Sequence, residues 1–192
     1  MRKIILASSS PRRKELMKLL QIPFEVIASN YDEESEKFSN GKEMVEGLSF
    51  NKAKVVSDKY KDAVIIAADT AVVLGETVIG KPKDIKNARE ILRMLSGTSH
   101  KVITGYTIFD SKTNQHVTSS VTSGVTFKNV TDAEINYYLA LGEYKDKAGG
   151  YAVQEVGGVF VEDIQGDFFN VVGLPLKDIR RELENFGIKT LT

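Results

Sequence analysis

Residues 1–20, MRKIILASSSPRRKELMKLL, indicate the fold class because a short apolar stretch runs directly into the start of a helix. The apolar side chains predict a strand over 2–7 and a helix over 11–20. Ser10 has the character of a helix N-cap, and Pro11 suits the first helical position because it lacks a backbone N–H. A strand that leads at once into a capped helix is typical of α/β proteins.

The same helix start carries cations. Arg12 and Arg13 stand in the first turn, where they oppose the helix dipole unless an anion offsets their charge. Free backbone N–H groups, serine hydroxyls and two forked guanidinium groups together suit a phosphate. The chain contains neither GxxxxGK[ST] nor GxGxxG. Two interpretations stay open at this point: a phosphate cradle, or an ordinary strand–helix unit with solvated basic residues.

Bulk composition narrows the class of protein. The 192 residues suit one domain, 1–192, and the 26 Lys and Arg balance the 26 Asp and Glu. A zero net charge argues against a stable nucleic-acid complex or a coat on an anionic membrane. The chain has no cysteine and two histidines, His100 and His116, which excludes disulfides and zinc–thiolate sites. No apolar run reaches the roughly 20 residues of a membrane span. No signal peptide is expected at the N-terminus, and we expect a cytoplasmic protein.

Helix and strand patterns alternate along the first half of the chain and then group into adjacent strands. Further strands are predicted at 24–28, 63–74 with an interruption at 69–70, 101–110, 115–128 and a hairpin over 159–172. Further helices are predicted at 42–60, at 84–95 with Asp84 as cap, after Thr131 with Glu134 completing a capping box, and near 175–186. This order predicts an α/β fold with a partly antiparallel sheet, and a polar loop at 29–42.

Two carboxylates stand out against their surroundings. Asp69 interrupts the apolar run AVIIAADTAVVL, where a charge is costly unless it is paired or bound to a metal. It is either a metal ligand or general base, or a buried carboxylate satisfied by its neighbours. Glu33 lies in an acidic loop that is either solvated or shares a divalent cation with Asp69, since oxygen ligands suit Mg²⁺.

Two lysines also break the pattern. Lys52 is spaced four residues from Leu48 and from Val56, so it lies on the apolar stripe of its helix. It either extends along the helix to solvent or projects into a cleft as a phosphate contact. Lys81 lies between Gly80 and Pro82, which hold it on a rigid turn; it is either a triphosphate contact or an exposed turn residue.

A glycine-rich segment, DKAGGYAVQ at 146–154, ends in Gln154. Paired glycines allow a ligand to approach the backbone, and a glutamine amide can match both a donor and an acceptor on a base. An ordinary bulge and hairpin is the alternative. Together, the anion-binding helix start, the cations and the isolated carboxylates favour a phosphoester hydrolase that acts on a nucleotide with metal-assisted attack of water.

Seven ordered motifs make the chain resemble the Maf family of septum-formation-related nucleoside triphosphate pyrophosphatases. They are ILASSSPRR at 5–13, NKAK at 51–54, AADT at 67–70, GKPKD at 80–84, LSGTSHKVITG at 95–105, DKAGGYAVQ at 146–154 and NVVGLPL at 170–176. The resemblance implies an elongated mixed sheet flanked by helices, with two lobes around a central cleft, similar to inosine triphosphate pyrophosphatases. It also implies hydrolysis between the α- and β-phosphates, a divalent cation (Mg²⁺ or Mn²⁺) and a homodimer.

The resemblance implies residue roles by motif position. It makes Asp69 the proton acceptor; Ser8, Arg13, Lys52 and Lys81 phosphate contacts, the two lysines catalytic; and Glu33 with Asp69 the metal ligands. Arg12, Thr70 and Gln154 match the subgroup that hydrolyses dTTP and UTP, with modified pyrimidine nucleotides as secondary substrates. The implied roles are nucleotide-pool cleansing or arrest of cell division. A non-catalytic nucleotide-binding regulator of septum formation is the alternative.

Overall fold

A seven-stranded mixed sheet forms the centre of the protein, for which a computed structural model describes residues 2–33 and 36–190. The strands are β1 (Lys3–Leu6), β2 (Glu25–Val26), β3 (Ala63–Leu74), β4 (Thr77–Ile79), β5 (Ser99–Asp110), β6 (His116–Phe127) and β7 (Val161–Gln165). The helices are α1 (Pro11–Lys18), α2 (Gly41–Ser57), α3 (Ile85–Leu95), α4 (Asp132–Leu141), α5 (Phe168–Val172) and α6 (Leu176–Asn185). Two short 3₁₀ turns, Ala148–Gly150 and Val156–Phe160, precede β7.

The strand order is β2-β1-β3-β5-β6-β7, and β4 pairs with β3. Strands β1, β2 and β3 are mutually parallel where they pair, whereas β4, β5, β6 and β7 pair antiparallel to their neighbours. The prediction of an α/β fold with a mixed sheet flanked by helices is therefore confirmed. None of the helices in the described ranges is long and apolar enough to cross a membrane.

Strand β3 is apolar except at Asp69 and Thr70, because both of its faces are covered. Val64, Ile66 and Ala68 pack in the same cluster as residues of α1 and α6. The alternating residues Ile65 and Ala67 pack in a second cluster with Ala53 and Val56 of α2. A strand that is buried on both faces is expected to show a continuous apolar run rather than strict alternation.

Two predictions about strands are wrong. The interruption expected at 69–70 is absent, since β3 pairs with β5 without a break from Val64 to Val73. The hairpin expected over 159–172 is instead strand β7 followed by helix α5. The reason is local: the Asp167 side chain accepts hydrogen bonds from the backbone N–H groups of Phe169 and Asn170, which starts a helix.

The predicted helix starts are confirmed. Ser10, Asp84 and Thr131 are the N-caps of α1, α3 and α4, and Thr131 forms the expected capping box with Glu134. Residues 29–40 have no helix or strand in their described part, and residues 34–35 of that loop lie outside the described ranges. Helix α2 follows this loop and returns along one face of β3.

Candidate active site

The middle of β3 has one open edge. Strand β5 occupies one edge from Val64 to Val73, so β1 and β4 share the other. On that shared edge β1 ends opposite Ile66, and β4 begins opposite Leu74 and runs to Val72. The gap leaves the β3 backbone around Asp69 without a strand partner on that edge. The polarity break seen in the sequence thus corresponds to a break in the neighbouring strands, and not in β3 itself.

A cleft of about 380 Å³ opens at this gap. Its wall includes Arg12, Arg13, Glu33, Lys52, Asp69, Thr70, Lys81 and Gln154, which are all of the predicted site residues except Ser8. The apolar part of the wall includes Val72, Val102, Tyr151 and Val172. Separate apolar clusters lie toward the two ends of β3, and residues of both reach the cleft.

Lys52 joins the two predicted carboxylates. Its Nζ donates to Asp69 Oδ1 at 2.5 Å and lies 2.8 Å from Glu33 Oε1. Lys52 and Asp69 are buried, whereas the Glu33 side chain is 43% exposed. Burial by itself would raise the pKa of Glu33, but the hydrogen bond and charge of Lys52 outweigh it and lower that pKa.

The contact between Lys52 and Asp69 depends on a close approach of α2 to the sheet. Gly105 of β5 lies directly opposite Asp69 in the strand pairing. A Cβ at residue 105 would lie 2.3 Å from the carbonyl oxygen of Val45, which belongs to α2. Only glycine allows this approach, and α2 then carries Lys52 over the face of β3 on which Asp69 lies.

Arg13 spans the gap from the other side. Its Nε donates to the carbonyl oxygen of Gly173 at 2.8 Å, and its Nη1 donates to Ala68 O at 2.7 Å and to Ser8 Oγ at 3.4 Å. Its Nη2 donates to Thr70 Oγ1 at 3.0 Å. Burial lowers the pKa of Arg13, which Asp69 partly opposes, yet a guanidinium stays charged at neutral pH. Four of its five N–H donors are therefore used within the protein.

The start of α1 offers fewer donors than the sequence suggested. Ser10 Oγ accepts the N–H of Arg13, and Pro11 has none, so the first turn leaves the N–H of Arg12. Ser8 is buried behind this turn, where its hydroxyl oxygen accepts from the Ser10 N–H and from Arg13. Ser8 keeps its own hydroxyl proton for a further acceptor.

A fifth cation of the cleft, Lys147, was not predicted from the sequence. It is buried, lines the cleft, donates to the carbonyl oxygen of Glu143 and lies 2.9 Å from Glu155 Oε2. The other oxygen of Glu155 is 3.9 Å from Arg12 Nη1. The available signal was the motif DKAGGYAVQ, which contains this lysine. Arg12 and Lys147 therefore form one cationic edge of the cleft, with Glu155 between them.

Lys81 and Gln154 are exposed side chains on the cleft wall. Within the described residues they make no hydrogen bond or ion pair, so their polar groups are free for a ligand. Tyr151, which also lines the cleft, donates or accepts a 2.7 Å hydrogen bond with His100 Nε2. Burial lowers the pKa of His100 to about 4, which keeps this imidazole neutral at pH 7.

The donor set suits a metal ion that arrives with phosphate. Within residues 2–33 and 36–190, no cluster of three Asp, Glu, His or Cys side chains could hold an ion by itself. Glu33 and Asp69 converge on one point, which Lys52 Nζ occupies. Mg²⁺ is commonly held by one or two carboxylates together with substrate phosphates and water. The two carboxylates fit that role, and a protein-only cage does not.

Residues 3–186 match the family profile described as Maf-like protein. The "dTTP/UTP pyrophosphatase" of Bacillus cereus (strain Q1) is 44% identical over 188 residues, covering 98% of this chain and 97% of the relative. That of Syntrophus aciditrophicus (strain SB) is 42% identical over 190 residues, covering 99% and 93%.

Among solved structures, the Staphylococcus aureus Ham1 protein aligns with 66% of this chain and 72% of its own, at 15% identity and a TM-score of 0.48. A HAM1 protein from Coxiella burnetii aligns with 66% of this chain and 73% of its own, at 15% identity and a TM-score of 0.46. The family profile and the relatives, in contrast, span almost the whole chain. The chain therefore belongs to the Maf-like protein family.

Proposed function

We propose that this protein is a nucleoside triphosphate pyrophosphatase that hydrolyses dTTP and UTP to the monophosphate and pyrophosphate. One observation carries the proposal: a single cleft brings a buried aspartate, Asp69, together with Arg12, Lys52, Lys81 and Lys147. Several cations suit a triphosphate, and a carboxylate held among them suits activation of water. The relatives' name, dTTP/UTP pyrophosphatase, supports the same reaction.

In this mechanism the nucleotide phosphates bind to the cations that line the cleft. Lys81 is unpaired in the described structure, and Lys52 can exchange one carboxylate for a phosphate oxygen. Arg12 and Lys147, which share Glu155, line the same cleft and can turn to a phosphate. These cations stabilise the charge that develops on the leaving pyrophosphate.

Asp69 orients a water for in-line attack at the α-phosphorus and accepts its proton. The rigid setting of this carboxylate, on a central strand and hydrogen-bonded to Lys52, preorganises it for that role. A divalent cation, Mg²⁺ or Mn²⁺, would be held by Glu33 and Asp69 and would neutralise phosphate charge when bound.

The side-chain amide of Gln154 and the apolar residues of the cleft wall contact the base. Gln154 lines the cleft and is free to offer one donor and one acceptor to the edge of uracil or thymine. Modified pyrimidine triphosphates with the same edge are expected as secondary substrates. The homodimer implied by the sequence resemblance stays a prediction, which sedimentation of the purified chain tests.

The test is release of pyrophosphate from a panel of canonical and modified nucleoside triphosphates with Mg²⁺, Mn²⁺ or EDTA. We expect metal-dependent release from dTTP and UTP, with the monophosphate as co-product. Asp69→Asn should fold and lose at least about 100-fold in kcat, the size expected for loss of a positioned base. Asp163→Asn, an exposed aspartate of β7, is the matched control.

Two outcomes would contradict the proposal. Turnover by a folded Asp69→Asn variant at the rate of the unmodified protein would remove Asp69 from the mechanism. Nucleotide binding without release of pyrophosphate from any member of the panel would instead favour the non-catalytic regulator.

A further inference from the structure

The hydroxyl of Thr104 determines whether the hydroxyl of Thr70 acts as a hydrogen-bond donor or acceptor, and this role affects which nucleotide base the cleft accepts. Thr70 and Thr104 lie directly opposite each other on β3 and β5, on the same face of the sheet. Their hydroxyl oxygens are 2.9 Å apart, so one of them donates to the other. The neighbouring bonds determine which one does.

Thr104 cannot be the donor, because its only hydroxyl proton is already used. Thr104 Oγ1 lies 2.9 Å from the backbone carbonyl oxygen of Asn170, which can only accept. Asn170 also accepts the backbone N–H of Thr104 through Oδ1 at 3.1 Å. Its own Nδ2 donates to Val102 O and to Ser123 Oγ, so the asparagine is fixed in one orientation.

Thr70 must therefore be the donor in the hydrogen bond to Thr104. It also accepts from Arg13 Nη2 at 3.0 Å. A hydroxyl has one proton and two lone pairs, so Thr70 keeps a single lone pair and no donor. The residue is half-buried and lines the cleft. It can meet a ligand only as a hydrogen-bond acceptor, which rules out a favourable contact with a phosphate oxygen.

We infer that Thr104 is a specificity-determining residue, because it holds Thr70 as an acceptor that pairs with the N3–H of uracil or thymine and not with N3 of cytosine. The inference rests on the proposed pyrophosphatase activity. Uracil and thymine carry a proton on N3, whereas cytosine carries a lone pair there, which an acceptor repels. The amide of Gln154 can turn to suit either base edge. The Thr70 hydroxyl cannot become a donor to the base while it donates its hydrogen bond to Thr104.

The experiment compares kcat/KM for UTP and CTP. Thr104→Val keeps the side-chain shape but frees the Thr70 proton, so the UTP-to-CTP ratio should fall about tenfold, the effect of one hydrogen bond. Thr104→Ser keeps a hydroxyl and should restore the ratio. Thr107→Val is the matched control, since Thr107 is a buried β5 threonine bonded to Ser49 and Thr118 and absent from the cleft wall.

Thr70→Val provides a second test if Thr104→Val does not fold, because residue 70 is only half-buried and tolerates substitution better. This variant should lose more activity on UTP than on CTP. An unchanged ratio in folded Thr104→Val or Thr70→Val, or an equal fall in Thr107→Val, would overturn the inference while leaving the pyrophosphatase intact. Absence of pyrophosphate release from the unmodified protein with every nucleotide would overturn the proposed function and this inference together.

Discussion

His100 is a buried imidazole whose protonation in the unfolded chain should make the protein less stable in mild acid. The residue is 3% exposed, bonds to the hydroxyl of Tyr151, and packs edge-on against the rings of Tyr151 and Phe127. Burial lowers the pKa of His100 from 6.5 to about 4. Between these values the unfolded chain holds a proton that the folded chain does not.

Proton linkage gives the sign and the size of the change in the free energy of unfolding with pH. Because the unfolded state binds more protons in this range, the free energy of unfolding decreases as the pH falls below 6.5. At 1.36 kcal/mol per pH unit, the full effect is about 3 kcal/mol and is complete below pH 4. From pH 7.5 to pH 5 it amounts to about 2 kcal/mol, in a range where ordinary carboxylates stay ionised in both states.

Urea unfolding at pH 7.5 and pH 5, in metal-free buffer, measures this difference. His100→Gln cannot titrate and keeps an amide for the Tyr151 hydroxyl, so its loss between the two pH values should be close to zero. His116→Gln removes the other histidine, which is exposed on β6, and should retain the full loss. Equal losses in the unmodified protein and in His100→Gln would refute the reasoning.

Three further predictions concern the site. Lys52→Met leaves two carboxylates facing each other and should lower the free energy of unfolding by about 3 kcal/mol in urea titrations; adding Asp69→Asn should recover part of it. Gly105→Ala forces a Cβ against Val45 O and should cost about 1–3 kcal/mol by the same assay, together with a lower kcat for UTP. Lys147→Met should raise KM for UTP about tenfold, because one charged contact with the nucleotide is lost. An unchanged KM would show that Lys147 makes no such contact.

Helix starts were predictable because a cap is a local structure. Ser10, Asp84 and Thr131 each accept a backbone N–H three residues ahead, so the relevant atoms lie within one turn of sequence. The same locality explains the error at 159–172. Asp167 is also a cap, but the apolar residues that follow it resemble a strand, and α5 is only five residues long.

The polar residues of the site were predictable where they contradicted their surroundings. Asp69 in an apolar strand and Lys52 on an apolar helix stripe each stood out, and the structure pairs them with each other. Lys147 gave a weaker signal, because it stands among other polar and glycine residues and only the tertiary fold buries it. Thr104 gave none, since a threonine in a strand is ordinary.

Most of the strand–helix order, the caps of α1, α3 and α4 and the anomalous positions of Asp69 and Lys52 follow from the sequence, because they depend on local hydrogen bonds and on the periodicity of apolar side chains. Only the tertiary structure decided where the cleft opens and what each site residue can still bind. The opening depends on β1 ending before β4 begins along the same edge of β3. The binding capacity depends on bonds such as those of Arg13 and Thr70, whose partners lie 34 to 160 residues away in the chain.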